Sequence, residues 1–260
     1  PSAITARSQL KSLPVLFPLS VPRCRLLTIG TIIGGVILVL AASITITYGA
    51  STHSPWVIRM DRWALNHALA ARSPRTGMVV TWFTNLGSTP WSAPIATTFA
   101  LYTAWRWRDA TPIFLMAGAT ALSTTVTRLL KLTFERIRPL HEVAVPPFEH
   151  TFSFPSGHTL NAVVIAGVMV YLLCQHTRSA GLRTLISGCG IAYALLMGIS
   201  RVFLAHHWLS DVLAGWCIGS LCLTASIVVE WATAYIRQGR LHDRDSSSPS
   251  DKYSRNPVRP

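Results

Sequence analysis

Acidic side chains are scarce in this chain, ten Asp and Glu against 23 Lys and Arg in 260 residues, and charged residues of both signs make up only 13%. With half the residues hydrophobic and a positive mean hydropathy, the composition lies outside the range of ordinary water-soluble domains and points to a polytopic membrane protein. Paired cysteines are also missing. Cys24, Cys174, Cys189, Cys217 and Cys222 include no C-x-x-C pair, and four of them fall in or beside apolar runs. They read as buried free thiols and imply no disulfide framework. Glu135, Glu142 and Glu149 lack a histidine at regular ligand spacing, so neither a metal nor another cofactor is expected. The net charge of +13 raises nucleic acid as a partner, but the basic residues are scattered along loop ends and form no stripe, which argues against it. No internal repeat is present.

What the chain does have is long apolar runs. They cover about 29–48, 79–105, 111–130, 159–174, 182–204 and 209–234, room for about six spans of ~20 residues. The first is read as a retained helix, since no convincing cleavage site follows it. Gly87-Ser88-Thr89-Pro90 interrupts the second, whose first turns then form a separate or kinked piece. Between Pro55 and Arg75 the pattern changes: Trp56, Met60, Trp63, Ala64, Ala68 and Ala71 recur at helical spacing, with Arg59, Arg62, Asn66 and Arg72 on other faces. That is the pattern of an amphipathic helix in the membrane interface. The expected fold is therefore all-α, a polytopic membrane helical bundle of about six transmembrane helices plus an interfacial amphipathic helix. A tail over 1–28, a membrane domain over 29–236 and a disordered polar tail over 237–260 complete the expected organisation.

Cation placement orients the bundle. With the N-terminus inside, the cytoplasmic segments hold most of the Lys and Arg, and the opposite side holds Arg59, Arg62, Arg72, Arg75, Arg128, Lys131, Arg136, Arg138 and Arg201. Both termini are then cytoplasmic. Counting spans puts the 131–158 loop and the 201–211 connection together on the other side.

Three short strings on that side carry chemistry. They are Lys131, six residues, then Arg138-Pro139; Pro155-Ser156-Gly157-His158; and Ser200-Arg201, five residues, His207, three residues, Asp211. Ionisable groups at membrane depth are costly unless they line a polar cavity. Lys131, Arg138 and Arg201 would meet a phosphate dianion, the arginines gripping two oxygens at once and the lysine acting as a point charge. Ser156 and Gly157 precede an apolar helix, where free amides and the positive dipole end favour an anion. His207 and Asp211 are four apart and share a helical face. A carboxylate on one ring nitrogen leaves the other free to attack phosphorus. His206 points elsewhere and reads as structural or rim. Arg128 and Arg136 are accounted for as side chains snorkelling to headgroups, and His141 and His150 as solvent-facing.

In order and spacing the three strings resemble the signature of the type 2 phosphatidic acid phosphatase superfamily, whose soluble relatives are the vanadium haloperoxidases. The resemblance implies a metal-independent lipid phosphatase of the cell membrane with its active site on the extracytoplasmic side. It assigns His207 as nucleophile forming a phosphohistidine, His158 as general acid, and Asp211 as the partner of His207. Lys131, Arg138, Ser156, Gly157 and Arg201 would bind the phosphate. The substrate class would be a polyprenyl diphosphate, phosphatidylglycerophosphate or phosphatidic acid, and the lipid bilayer the partner. The apolar spans speak against a haloperoxidase. A phosphotransferase, or a non-hydrolytic lipid-binding or transport protein on the same scaffold, remains as the alternative.

Overall fold

Proline and serine punctuate the chain where helices begin. Pro55, Pro74, Pro90 and Pro112 each sit in the first turn of a helix, where a missing N–H costs nothing. Ser73 and Thr76 form a reciprocal capping box, and the Ser179 hydroxyl accepts the Leu182 amide at 3.3 Å. The computed structural model describes residues 22–246. Of the tail expected over 1–28, residues 1–21 lie outside the described residues and 22–28 are already helical, an extension of the first apolar run; the polar stretch 247–260 also lies outside. Eight helices follow: α1 (Pro22–Ser51), α2 (Pro55–Ala70), α3 (Pro74–Asn85), α4 (Thr89–Trp107), α5 (Thr111–Phe134), α6 (Gly157–His176), α7 (Ala180–Phe203) and α8 (Leu209–Ser246). Among the described residues there is no strand.

Five stretches are long and apolar enough to cross a membrane: Ile33–Ser51, Thr111–Phe134, Gly157–His176, Ala180–Phe203 and Leu209–Arg237. The run at 79–105 is broken as its Gly-Ser-Thr-Pro insert suggests, into α3 and α4 with a turn at 86–88. At 19 residues α4 is about 28 Å long, close to the ~30 Å of a hydrocarbon core. Its threonines, Pro94 and Arg106 leave it less apolar than the five. At its far end α8 runs on through residues 237–246, where the sequence suggested a disordered tail. A straight-chain residue such as the exposed Arg237 loses little freedom in a helix and lets it continue past the apolar stretch.

α6 is the centre of the bundle and packs against α5, α7 and α8. Its Leu160, Val164, Val168 and Leu172 meet Ala96 and Ala100 of α4 and Leu115, Met116 and Ala119 of α5 in one buried cluster. The approach of α8 to α6 depends on two glycines. A Cβ on Gly215 would lie 3.1 Å from the Ser156 carbonyl oxygen, and one on Gly219 3.0 Å from that of Leu160. Backbone blocks larger residues there, the small-residue packing common between membrane helices. This contact draws the start of α8 against the start of α6, where Ser156 N–H donates to the Asp211 carbonyl at 3.1 Å.

Connectivity divides the bundle into two ends. The α4–α5 and α6–α7 turns lie at one end, where the rings of Trp107 and His176 stack at 3.6 Å. The ends of α5 and α7, the starts of α6 and α8, and α2 gather at the other. α2 is amphipathic as expected, burying Val57, Asp61 and Ala64 while Trp63 is 61% exposed. Ala64 and Ala68 pack with Val202, Leu209, Val212 and Trp216, so this helix is seated directly on the starting turn of α8.

Candidate active site

The segment 135–156 leaves α5 through Glu135 in a left-handed conformation (φ 42°), arches over the bundle end and returns to α6. It covers a polar cluster into which three helices deliver ionisable groups. Lys131 comes from the last turn of α5, Arg201 from the last turn of α7, and His158 from the first turn of α6. His207 precedes α8, and Asp211 lies in its first turn.

All eight residues singled out from the sequence lie at this end of the bundle, in differing surroundings. His207 and Asp211 are almost completely buried, with His207 Nδ1 3.4 Å from Asp211 Oδ2. His207 Nε2 faces the Arg138 guanidinium at 3.1 Å. Because arginine only donates, Nε2 must accept there, which leaves the proton on Nδ1 facing the carboxylate. Burial holds the His207 pKa well below its ordinary value, and Arg138, Arg201 and Lys131 push it the same way. The ring is therefore neutral, with a lone pair aimed at the cations.

Arg138 also donates from Nε to the Thr151 carbonyl at 2.6 Å and from Nη1 to the His206 carbonyl at 2.5 Å. Lys131 reaches the same stretch of the loop, donating to Thr151 Oγ1 at 3.2 Å and to the Phe152 carbonyl. Arg201 is 2% exposed; it donates to Thr84 Oγ1 at 3.2 Å and pairs with Glu149 at 2.5 Å. Gly157 and His158 are the first residues of α6, whose opening amides have no carbonyl a turn earlier. Ser156 is used differently from the expectation that its amide faces a ligand. That amide is engaged by Asp211, and its hydroxyl accepts from Thr159 at 2.9 Å, so it ties α6 to α8. His206 turns away and contacts the Val145 carbonyl through Nε2 at 2.6 Å, holding the loop down.

Several residues of the site carry no recognisable signal in the sequence. Glu149 lies among the cations, 2.5 Å from Arg201, 3.8 Å from His158 and 3.9 Å from Arg138. Burial alone would raise its pKa, but Arg201, His158 and Arg138 outweigh that and bring it down to about 2. Ser153 is fully buried and donates to Asp211 Oδ2 at 2.5 Å, 3.5 Å from His207 Nδ1. Arg136, accounted for above as a headgroup contact, instead turns inward and bridges Asp211 at 2.5 Å and Asp61 at 2.7 Å. A buried carboxylate fixes an arginine far more firmly than exposed headgroups do. Only the cation two residues before Arg138 hinted at this. Among the described residues no three His, Cys, Asp or Glu side chains gather as a metal site would require.

Beside the cluster a cavity of about 510 Å³ runs between α4, α6 and α7, lined by Leu86, Gly87, Ile95, Ala162, Ile165 and Met169. It begins next to His158, since a Cβ on Gly87 would come within 3.2 Å of that ring.

Known proteins resemble both the chain and its fold. Residues 112–235, which hold all three strings, match the PAP2 superfamily. A phosphatidylglycerophosphatase B of Bacillus subtilis is 32% identical over 66% of this chain and 84% of the relative. An undecaprenyl-diphosphatase of Sulfolobus acidocaldarius is 34% identical over 38% of this chain and 46% of its own length. The crystal structure of a transmembrane PAP2-type phosphatidylglycerolphosphate phosphatase from Bacillus subtilis superposes with a TM-score of 0.70 at 24% identity, covering 76% of this chain and 96% of that one. Aquifex aeolicus LpxE gives a TM-score of 0.52 at 27% identity, over 64% and 94% of the two chains. On the motif match, the extended identity and the shared fold, this chain belongs to the PAP2 superfamily and is a membrane phosphoric-ester hydrolase.

Proposed function

We propose that this enzyme removes phosphate from a membrane lipid, as a monoester or a diphosphate, by way of a phosphohistidine on His207. The observation that carries the reading is the two-sided environment of His207, with Asp211 at 3.4 Å behind Nδ1 and a guanidinium at 3.1 Å before Nε2. In the first step the Nε2 lone pair forms the N–P bond while the P–O bond to the leaving group breaks, a lipid alcohol from a monoester or a lipid monophosphate from a diphosphate. His158 supplies the proton to the departing oxygen. In the second step water attacks phosphorus and yields a proton to His158. The N–P bond then breaks and inorganic phosphate leaves.

Lys131, Arg138 and Arg201, with the opening amides of α6, carry the charge on the equatorial oxygens, the main demand of phosphoryl transfer. Glu149 lies among the same donors in the free protein, so binding exchanges one anion for another. The apolar cavity beside His158 suits the hydrocarbon of the leaving alcohol. The relatives' names make phosphatidylglycerophosphate and a polyprenyl diphosphate the first substrates to try, with phosphatidic acid third. The catalytic unit is residues 29–236, a multi-pass cell-membrane protein. Cation bias supports an extracytoplasmic position for the cluster, with tails 1–28 and 237–260 in the cytoplasm. A cysteine near Glu142 should then react with an impermeant thiol reagent on intact cells, and one near Gly181 should not; the reverse pattern overturns that orientation.

The deciding experiment is free-phosphate release from the detergent-purified full chain across those lipids, with and without chelator. Release should survive chelation, because a pocket lined by Lys131, Arg138 and Arg201 repels divalent cations, and vanadate should inhibit it. His207→Ala should lower turnover by about 10³-fold or more with thermal unfolding unchanged. Activity near the wild-type level in that variant would sink the phosphohistidine. Transfer of the phosphoryl group to an added alcohol in place of free phosphate would make it a phosphotransferase.

A further inference from the structure

Asp61 is the only acidic residue of α2, a helix that turns Trp63 outward, yet Asp61 itself is 2% exposed. Its carboxylate is fully engaged. Oδ1 accepts the Ser210 amide at 2.8 Å, while Oδ2 accepts the Ser210 hydroxyl at 2.8 Å and Arg136 Nη2 at 2.7 Å. Arg136 Nη1 donates onward to Ser210 Oγ at 2.7 Å and to Asp211 Oδ1 at 2.5 Å. Asp61 thus caps the first turn of α8 from a different helix, and through one guanidinium it is joined to the carboxylate behind His207. Ser153 and the Trp208 amide hold the other oxygen of Asp211.

We propose that Asp61 and Arg136 are positioning residues for the nucleophile, an inference that rests on the assignment of His207 above. As His207 attacks phosphorus, its ring gains positive charge and needs Asp211 ionised and correctly aimed. Arg136 holds that carboxylate charged and aligned. Asp61 in turn shares the charge of Arg136, so that Asp211 is not neutralised by a full counter-ion. Two carboxylates bridged by one cation leave a net negative charge behind the imidazole, where the transition state can use it.

The test compares Asp61→Asn, Arg136→Lys and Arg136→Gln with the wild type and His207→Ala, all as full chains in detergent. Asp61→Asn keeps the acceptor for the Ser210 amide and the side-chain volume but removes the charge. The expected result is a fall in kcat of about tenfold or more, with KM for the lipid within about twofold. The inhibition constant for vanadate, which must sit on the His207 nitrogen, should rise by a similar factor. Arg136→Lys should fall between the wild type and Arg136→Gln, since lysine keeps the charge but cannot bridge two carboxylates.

Wild-type kcat and vanadate affinity in Asp61→Asn, with only the unfolding temperature lowered, would reduce the pair to a structural clamp and overturn the inference. If Asp61→Asn does not fold, equal activities of Arg136→Lys and Arg136→Gln at or near the wild-type level overturn it as well. The controls separate the two claims. An active His207→Ala enzyme defeats the phosphohistidine reading itself, whereas an inactive one beside a fully active Asp61→Asn defeats only the positioning role.

Discussion

Arginines stand at both ends of this helical bundle, and the two sets live in opposite conditions. At the turn end, Arg106, Arg108, Arg178, Arg183 and Arg237 are exposed. At the other end Arg136, Arg138 and Arg201 are withdrawn from solvent and tied to Asp61, Asp211, Glu149 and the carbonyls of the covering loop. Exposed cations beside apolar helices set orientation through the membrane's electrostatic asymmetry and are individually worth little. Buried cations lose their hydration and persist only where anions and carbonyls replace it. A bundle that keeps three of them under one loop retains a site at the expense of easier folding.

The sharpest way to break this contrast is to make the same change at each end. Arg201→Met should lower phosphate release by about 10²-fold, as the loss of one preorganised charge does elsewhere. It should also cost about 1–3 kcal/mol of stability, since Glu149 and Thr84 lose their partner but Glu149 can rehydrate. Arg183→Met, at the exposed end, should leave activity intact and stability within about 0.5 kcal/mol. Equal effects would mean that the buried cluster is ordinary scaffolding.

A second test moves a titration. In the proposed mechanism His207 attacks as the neutral ring, and burial followed by Arg138, Arg201 and Lys131 holds its pKa well below 6.5. A depressed pKa keeps the active form populated as pH falls, so kcat/KM of the wild type should show no acid limb near pH 6.5 from this group. Arg138→Met removes the largest of the charge effects, lets the His207 pKa rise and should move the acid limb to higher pH. Glu149, held at about 2, stays ionised throughout and contributes no limb in that range. An unmoved limb would mean that burial alone sets the nucleophile.

The smallest expected effects belong to the apolar surroundings of the site. Trp63→Ala on α2 should lower kcat/KM for a long-chain lipid by about tenfold, roughly 1.4 kcal/mol, and leave a short water-soluble phosphate unaffected. Equal losses on both substrates would assign this position to packing.

Periodicity and spacing in the sequence were sufficient for the all-α bundle, the break before Pro90, the amphipathic α2 and the three strings of Lys131, Arg138, His158, Arg201, His207 and Asp211. Apolar runs must be helical in a bilayer because every backbone N–H and C=O needs an internal partner. A carboxylate four residues after a histidine was legible as a pair, although not on one helical face as expected: His207 lies just before α8, and Asp211 in the first turn reaches back to it across the helix start. The folded bundle alone decided the rest. Asp61 and Arg136 are separated by 75 residues, and Arg201 and Glu149 by 52. Nothing in their local sequence tells a buried ion pair from two solvated side chains. Gly215 and Gly219 determine how near α8 comes to α6, and that approach decides whether Ser156 faces a ligand or the Asp211 carbonyl. Local chemistry is written in short spacings, whereas the burial of a charge is a property of everything packed around it.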